Sequence, residues 1–428
     1  MQKLIDQIQM IYLINKKDWH FHERLTKFFL MVYFVFFVFF FFISCNRKTD
    51  YVHTIDIEQA FEKKQEIILS DFVEDIEYIV LETEGCPLDR NLRVYTSKNF
   101  LVCITFNQMY LFDRQTGNFI REIGKVGRGP GEYQSVGFFN SETQHLITNG
   151  NGRDLYEYDL DGNIIRKISR PQKEVITRQD GIFSDAWWLN ENACAFLDNN
   201  SMVYYNHNII GDARDRLLIA DEKGIVHKIF NNTNSFIRQG TGIAMIPPIF
   251  YRHDSNILFF ENCVDTIYRV TKDTLFFHFH LKVGKYKPPY EKRNDIKSMI
   301  EHYFWFNRIG ESNRFLFFDF SYQRKFGDPY YISYFGYYDK TEKIVMVADV
   351  NRDERQIRND IDNFSAVQLS NWTINERDNE MISYIEAEDM VEWFENNPRK
   401  VKELPEHLQK LSKVKPEDNP VVIITKLK

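Results

Sequence analysis

Short apolar and aromatic runs, separated by turn residues, recur from residue 76 to the C-terminus. Ile76–Glu82 begins them, and Phe100–Ile104, Met109–Asp113 and Phe119–Gly124 follow. A second unit holds Val136–Phe139, His145–Thr148, Leu155–Asp159 and Ile164–Ile168. Further units fall over residues 181–230, 243–283 and 303–349, and a less regular one runs from Phe364 to Glu386. Runs of this length, punctuated by Gly, Asn and Asp, predict antiparallel strands joined by tight turns. Two units share one plan. Leu111-Phe112-Asp113 leads to Gly117-Asn118, and Tyr156-Glu157-Tyr158-Asp159 leads to Gly162-Asn163, with the two anchoring aspartates 46 residues apart. That spacing is the period of one propeller blade. The expected fold is all-β, a six-bladed β-propeller of four-stranded antiparallel blades.

The pattern changes over residues 387–413. Met390, Trp393 and Phe394, then Val401, Leu404, Leu408 and Leu411, have helical spacing, and Pro405 interrupts them. Two short helices are expected there, ahead of an apolar closing strand at 420–427. A strand at the extreme end of the chain makes sense if it pairs with one from near the start, since that zips the ring and removes its edges. Residues 45–66 are polar and read as a tether with some ordered contact, so the propeller is expected over 67–428.

The first 44 residues read as a targeting device. Phe28–Ile43 is an unbroken run of 16 apolar residues behind Arg24 and Lys27. As a helix it would span about 24 Å, short of a ~30 Å bilayer core. A basic flank, an apolar run and a small residue at its end are the plan of a secretory signal. The run ends in Phe42-Ile43-Ser44-Cys45, which resembles a bacterial lipobox with Cys45 as the lipid attachment residue.

Composition narrows the rest. The chain is 43% hydrophobic, which excludes wholesale disorder, and 16% aromatic, which suits pleated strands. A net charge of −7 with no basic block argues against a nucleic-acid partner. Cys86, Cys103, Cys194 and Cys263 form no CxxC pair and are expected as buried free thiols.

Residues 109–168 resemble the NHL repeat of six-bladed propellers, with Asn151 and Arg153 at that repeat's Asn and Arg positions. More widely, the chain resembles the six-bladed β-propeller lipoproteins of Bacteroides-type bacteria. Leu69–Phe72 with Ile76–Thr83, the Gly127–Tyr133 loop, Asp265–Tyr268, Gly284–Tyr286 and the terminal Asn419–Ile423 carry that likeness. It implies an exported lipoprotein with a binding role in the envelope. Surface-exported lipoproteins of such bacteria tend to carry an acidic run after the Cys; the residues here are Asn46-Arg47-Lys48-Thr49-Asp50, which by that likeness favours the periplasmic face. Asp265-Thr266-Ile267 and Asp273-Thr274-Leu275 resemble the short acceptor motif for O-linked glycans in these bacteria.

Candidate chemistry is sparse. The Gly127–Tyr133 loop has no helix behind it to cradle a phosphate. It reads as a blade-to-blade crossover, with Arg128, Glu132 and Tyr133, together with Asn151 and Arg153, as candidates to line a ligand-binding mouth. Asp159–Asn163 begins like a calcium loop but carries Ile164 where an EF-hand needs Gly, so a hairpin turn is expected. His278 and His280 share a strand face without an identifiable third ligand and are expected to face solvent. Glu74-Asp75 and Asp353-Glu354 read as solvated faces. Trp187-Trp188 and Tyr303–Phe306 could stack on a sugar ring, or could simply be packing. No catalytic set, metal site or cofactor motif emerges. The leading expectation is a non-catalytic, lipid-anchored propeller that binds a glycan, a peptide or an envelope protein. The alternatives are a propeller lyase or hydrolase with a channel metal, and a docking ring in an envelope complex.

Overall fold

The computed structural model describes residues 53–428 apart from 89–91, 151–153, 172–192, 209–210, 212, 238–245, 294, 324–332, 350–355, 366 and 369–370. Strand β1 (Thr54–Asp56) and helix α1 (Ile57–Glu62) precede β2 (Val73–Val80). The first blade is β3 (Arg93–Thr96), β4 (Phe100–Ile104), β5 (Met109–Asp113) and β6 (Phe119–Glu122). The second is β7 (Ser135–Asn140), β8 (His145–Asn149), β9 (Asp154–Tyr158) and β10 (Ile164–Ser169). The third is β11 (Cys194–Asp198), β12 (Ser201–Tyr205), β13 (Asp215–Asp221) and β14 (Val226–Asn231). The fourth is β15 (Ile249–His253), β16 (Asn256–Glu261), β17 (Val264–Val270) and β18 (Leu275–Lys282). After helix α2 (Ile296–His302) comes the fifth: β19 (Trp305–Glu311), β20 (Phe315–Ser321), β21 (Ser333–Asp339) and β22 (Ile344–Val347). A ribbon, β23 (Gln356–Ile357) with β24 (Val367–Gln368), leads to β25 (Thr373–Asn375) and β26 (Glu380–Ile385). Helices α3 (Ala387–Asn396), α4 (Pro398–Val401) and α5 (Glu406–Gln409) then precede β27 (Val421–Leu427).

The six four-stranded antiparallel blades stand in a ring, each built from its inner strand outward. The sixth is closed by both chain ends: β27 lies between β26 and β2, with Val80 opposite Val421 and Val73 opposite Leu427. The expected zip is therefore present. It satisfies backbone groups that an unclosed ring would leave on two open edges.

Successive strand residues point to opposite faces. In β4, Leu101 and Cys103 pack toward the sixth blade, with Val94, Ile382 and Val422. Val102 and Ile104 pack toward the second, with Val136, Leu146 and Tyr158. Both faces of a middle strand are thus buried between blades, which explains why these strands read as unbroken apolar runs. The repeated aspartate has an equally local cause. Asp113, Asp221 and Asp339 each end a third strand and Asp159 directly follows one, and each accepts backbone N–H donation from the turn that follows. In the fourth blade Thr271 does the same for Thr274. Asp159–Asn163 is accordingly a hairpin turn, with Gly162 at φ +86°.

The expected tether is ordered from residue 53 onward. Strand β1 adds to the fourth blade in parallel with β18. Ile55 and Ile57 are fully buried, and Phe61 enters an aromatic box of Tyr286, Phe304, Tyr322 and Tyr334. Two isoleucines in a polar stretch are too short a pattern to announce a strand. Where two helices were expected near the C-terminus, the chain makes three and a final 3-10 turn. Met390, Leu404, Leu408 and Leu411 bury against the fifth and sixth blades.

Candidate functional site

With four antiparallel strands per blade, all inner strands run the same way along the axis. The blade-to-blade crossovers and the α3–α5 insertion therefore share one end of the ring, and the short hairpins of the inner strands share the other. Inside lies a cavity of about 550 Å³, bordered by residues of β3, β7, β11, β15, β19 and β25. This volume falls within the ~300–1,000 Å³ range of small-ligand sites. Gly310 lets β19 approach the sixth blade: a Cβ there would sit 2.7 Å from the Trp372 ring.

At the short-hairpin end, ion pairs stitch the blades together. Glu311, at the end of β19, is 1% exposed. It lies 2.9 Å from His278 Nε2, accepts from Lys340 Nζ at 2.9 Å and from the Tyr251 hydroxyl at 3.2 Å, and has His253 Nε2 at 3.5 Å. Burial alone would lift its pKa; the hydrogen bond from His278 and the attraction of His278, Lys340 and His253 outweigh it and hold the carboxyl below the ordinary glutamate value. Glu376, from the sixth blade, lies 2.9 Å from His253 Nδ1 and accepts from the Asp254 amide. Burial opposes its ionisation, yet His253 and that amide carry its pKa down. Arg252 donates to the Phe196 carbonyl at 2.9 Å and pairs with Glu142 at 2.7 Å, tying the fourth blade to the third and second.

The other end carries Arg93, Trp305 and Thr373 at the starts of their strands. Deeper in, Arg308 donates to Asn371 Oδ1 at 2.7 Å and to Asp319 at 3.3 Å. Asp319 is so buried that its pKa is raised even beside that guanidinium.

The residues singled out from the sequence lie elsewhere. Tyr133 is fully buried between the first two blades. Glu132 folds back to accept the Gly129 amide at 2.7 Å, occupying space that a Cβ on Gly127 would fill. Arg128 lies in the same crossover, and none of the three borders the cavity. Asn151, Arg153, Trp187, Trp188 and Cys45 lie outside the described residues. His278 and His280, expected to face solvent, are half-buried and each meets a carboxylate. A register shift in the β17–β18 pairing falls at His278, between Phe277 and Phe279; His278 meets Glu311 and His280 meets Asp265 at 3.3 Å. Trp305 and Phe306 of the noted aromatic cluster do border the cavity. The four described cysteines are buried free thiols, and burial pushes Cys86 up to about 11 and Cys263 to about 12. Among the described residues no group of three His, Cys, Asp or Glu could hold a metal ion, and no helix is long and apolar enough to cross a membrane.

The ring, its closure and its axial cavity define a six-bladed β-propeller. The chain belongs to the family described as domain of unknown function DUF4934, whose model matches residues 52–426. It is similar to a solved protein of Bacteroides fragilis provisionally described as exported, at 15% identity and TM-score 0.60, covering 85% of this chain and 98% of that one. A DUF4221 member from Bacteroides vulgatus matches at 12% identity and TM-score 0.48, covering 83% and 97%. No curated protein matches the sequence.

Proposed function

We propose that the protein is an exported, lipid-anchored binding module of the cell envelope that holds a small glycan or peptide in its axial cavity. The observation that carries this reading is the cavity itself, where aromatic rings and guanidinium groups from different blades converge on one space. The carboxylates at its border, Glu311 and Glu376, are committed to ion pairs that hold them ionised, which suits a binding wall better than a proton-transferring pair. Anchoring through Cys45, on the periplasmic face, rests on the Phe28–Cys45 pattern and the residues after it. The Bacteroides fragilis neighbour's description agrees with export. The hairpin aspartates support an NHL-like reading of the blades.

Two measurements test this. Palmitate labelling in cells should disappear in Cys45→Ala; persistent labelling rejects the anchor. Screening the purified protein against envelope glycans and peptides should find a ligand whose binding is lost in Trp305→Ala. A ligand bound equally well by that variant sits elsewhere and removes the cavity from the function.

A further inference from the structure

We infer that the cavity takes an acidic saccharide, a uronate-bearing sugar of one or two rings, with Arg93 pairing its carboxylate. This rests on the binding reading above and names the ligand class. Among the described residues, the charges around the cavity are matched with one exception. Glu311 has Lys340, Glu376 has His253, Arg252 has Glu142 and Arg308 has Asp319. Arg93 is half-buried at the start of β3, and among the described residues its guanidinium has no hydrogen-bond, ion-pair or ring partner. A guanidinium on a concave wall, partly withdrawn from water and without a counter-ion, is where an incoming carboxylate gains most, and its two-pronged geometry matches that group.

Tyr95 lies two residues along β3, so it shares a strand face with Arg93, about 7 Å away. It too is half-buried and borders the cavity, its ring 5.5 Å from that of Phe139. A cation and a ring face at that separation suit a pyranose that stacks through its C–H face and projects a carboxylate from its edge. A peptide terminus would need free amides for its backbone. Of the cavity's four asparagines, Asn262 is engaged at both ends of its amide by the Phe306 backbone, Asn371 by Arg308 and Tyr384, Asn307 bonds Asp319, and Asn140 accepts from the Glu142 amide. Sugar hydroxyls can instead be met by water.

The test is calorimetric titration of the full-length protein in detergent with digalacturonate, its dimethyl ester and triglycine. Digalacturonate should bind saturably, and the ester at least tenfold more weakly. Arg93→Gln should weaken digalacturonate at least tenfold while leaving the ester unchanged, and Arg93→Lys should recover part of the loss. Equal binding of acid and ester, or indifference to Arg93→Gln, overturns the inference. If both sugars are then lost in Trp305→Ala, the cavity stands as a binding site and only its acidic preference falls. Arg93-dependent binding of triglycine alone rejects the saccharide, and no binding of any probe rejects the assignment outright.

Discussion

Two buried glutamates, Glu261 and Glu311, occupy equivalent chemical situations and do different things. Glu261 closes β16 and is sealed: Arg293 and Arg216 pair with it, and Tyr205 donates to it at 2.8 Å. Arg293 is itself 1% exposed and also donates to the His207 carbonyl at 3.1 Å. This cluster pins the long crossover containing Arg293 onto the third and fourth blades. Glu311 closes the next blade's inner strand and borders the cavity itself, beside its partner Tyr251. Burial opposes ionisation at both, and cationic or hydrogen-bonding partners win at both. The difference is access: a sealed cluster is mortar, whereas one bordering a cavity can also shape what binds there.

The comparison breaks most visibly at Arg293. Arg293→Ala leaves Glu261 buried with half its positive charge, and should cost about 3–5 kcal/mol in urea unfolding. A loss under 1 kcal/mol would mean that the cluster is not sealed. His207, beside it and fully buried, is held down to about 4 by burial. The unfolded chain therefore binds a proton that the folded one refuses between pH ~6.5 and about 4, so stability falls as pH drops through that window. The swing should be about 3 kcal/mol, and His207→Gln should abolish it; an unchanged pH profile in that variant would show that His207 is not protected. Glu311→Gln should cost a smaller ~1–3 kcal/mol, because its site can admit water. Its folded pKa is depressed, so its contribution is complete above the unfolded value of ~4.3 and fades as pH falls through the lower folded one. The variant's deficit should accordingly shrink in acid, and a deficit constant with pH would refute the ionised hub. Arg93→Gln should change stability by less than ~0.5 kcal/mol, since no bond is lost, and should act on ligand binding alone. A larger destabilisation would show that Arg93 has a structural role.

The middle strands of the blades were legible because each is buried on both faces and must be apolar throughout. The hairpin aspartates were legible because a turn's free amides need an acceptor two to four residues away. The inner strands β3, β15 and β19 were not: they border the cavity and mix residues such as Arg93, Arg252, Asn307 and Arg308 among their apolar neighbours, which erases the alternation. The candidate site consists largely of those strands, so it was hidden for the same reason that it is a site. The glycine-rich loop drew notice instead, and its Tyr133 proved to be core.

The sequence by itself determined the repeat, the ring closed by its two ends and the targeting-like start, because these depend on local periodicity, turn chemistry and composition. Only the tertiary structure decided which charges meet. Glu311 finds Lys340 29 residues away, and Ser70 finds Asp360 290 residues away. Such pairings depend on how six blades converge on one axis, and no window of the chain contains that geometry.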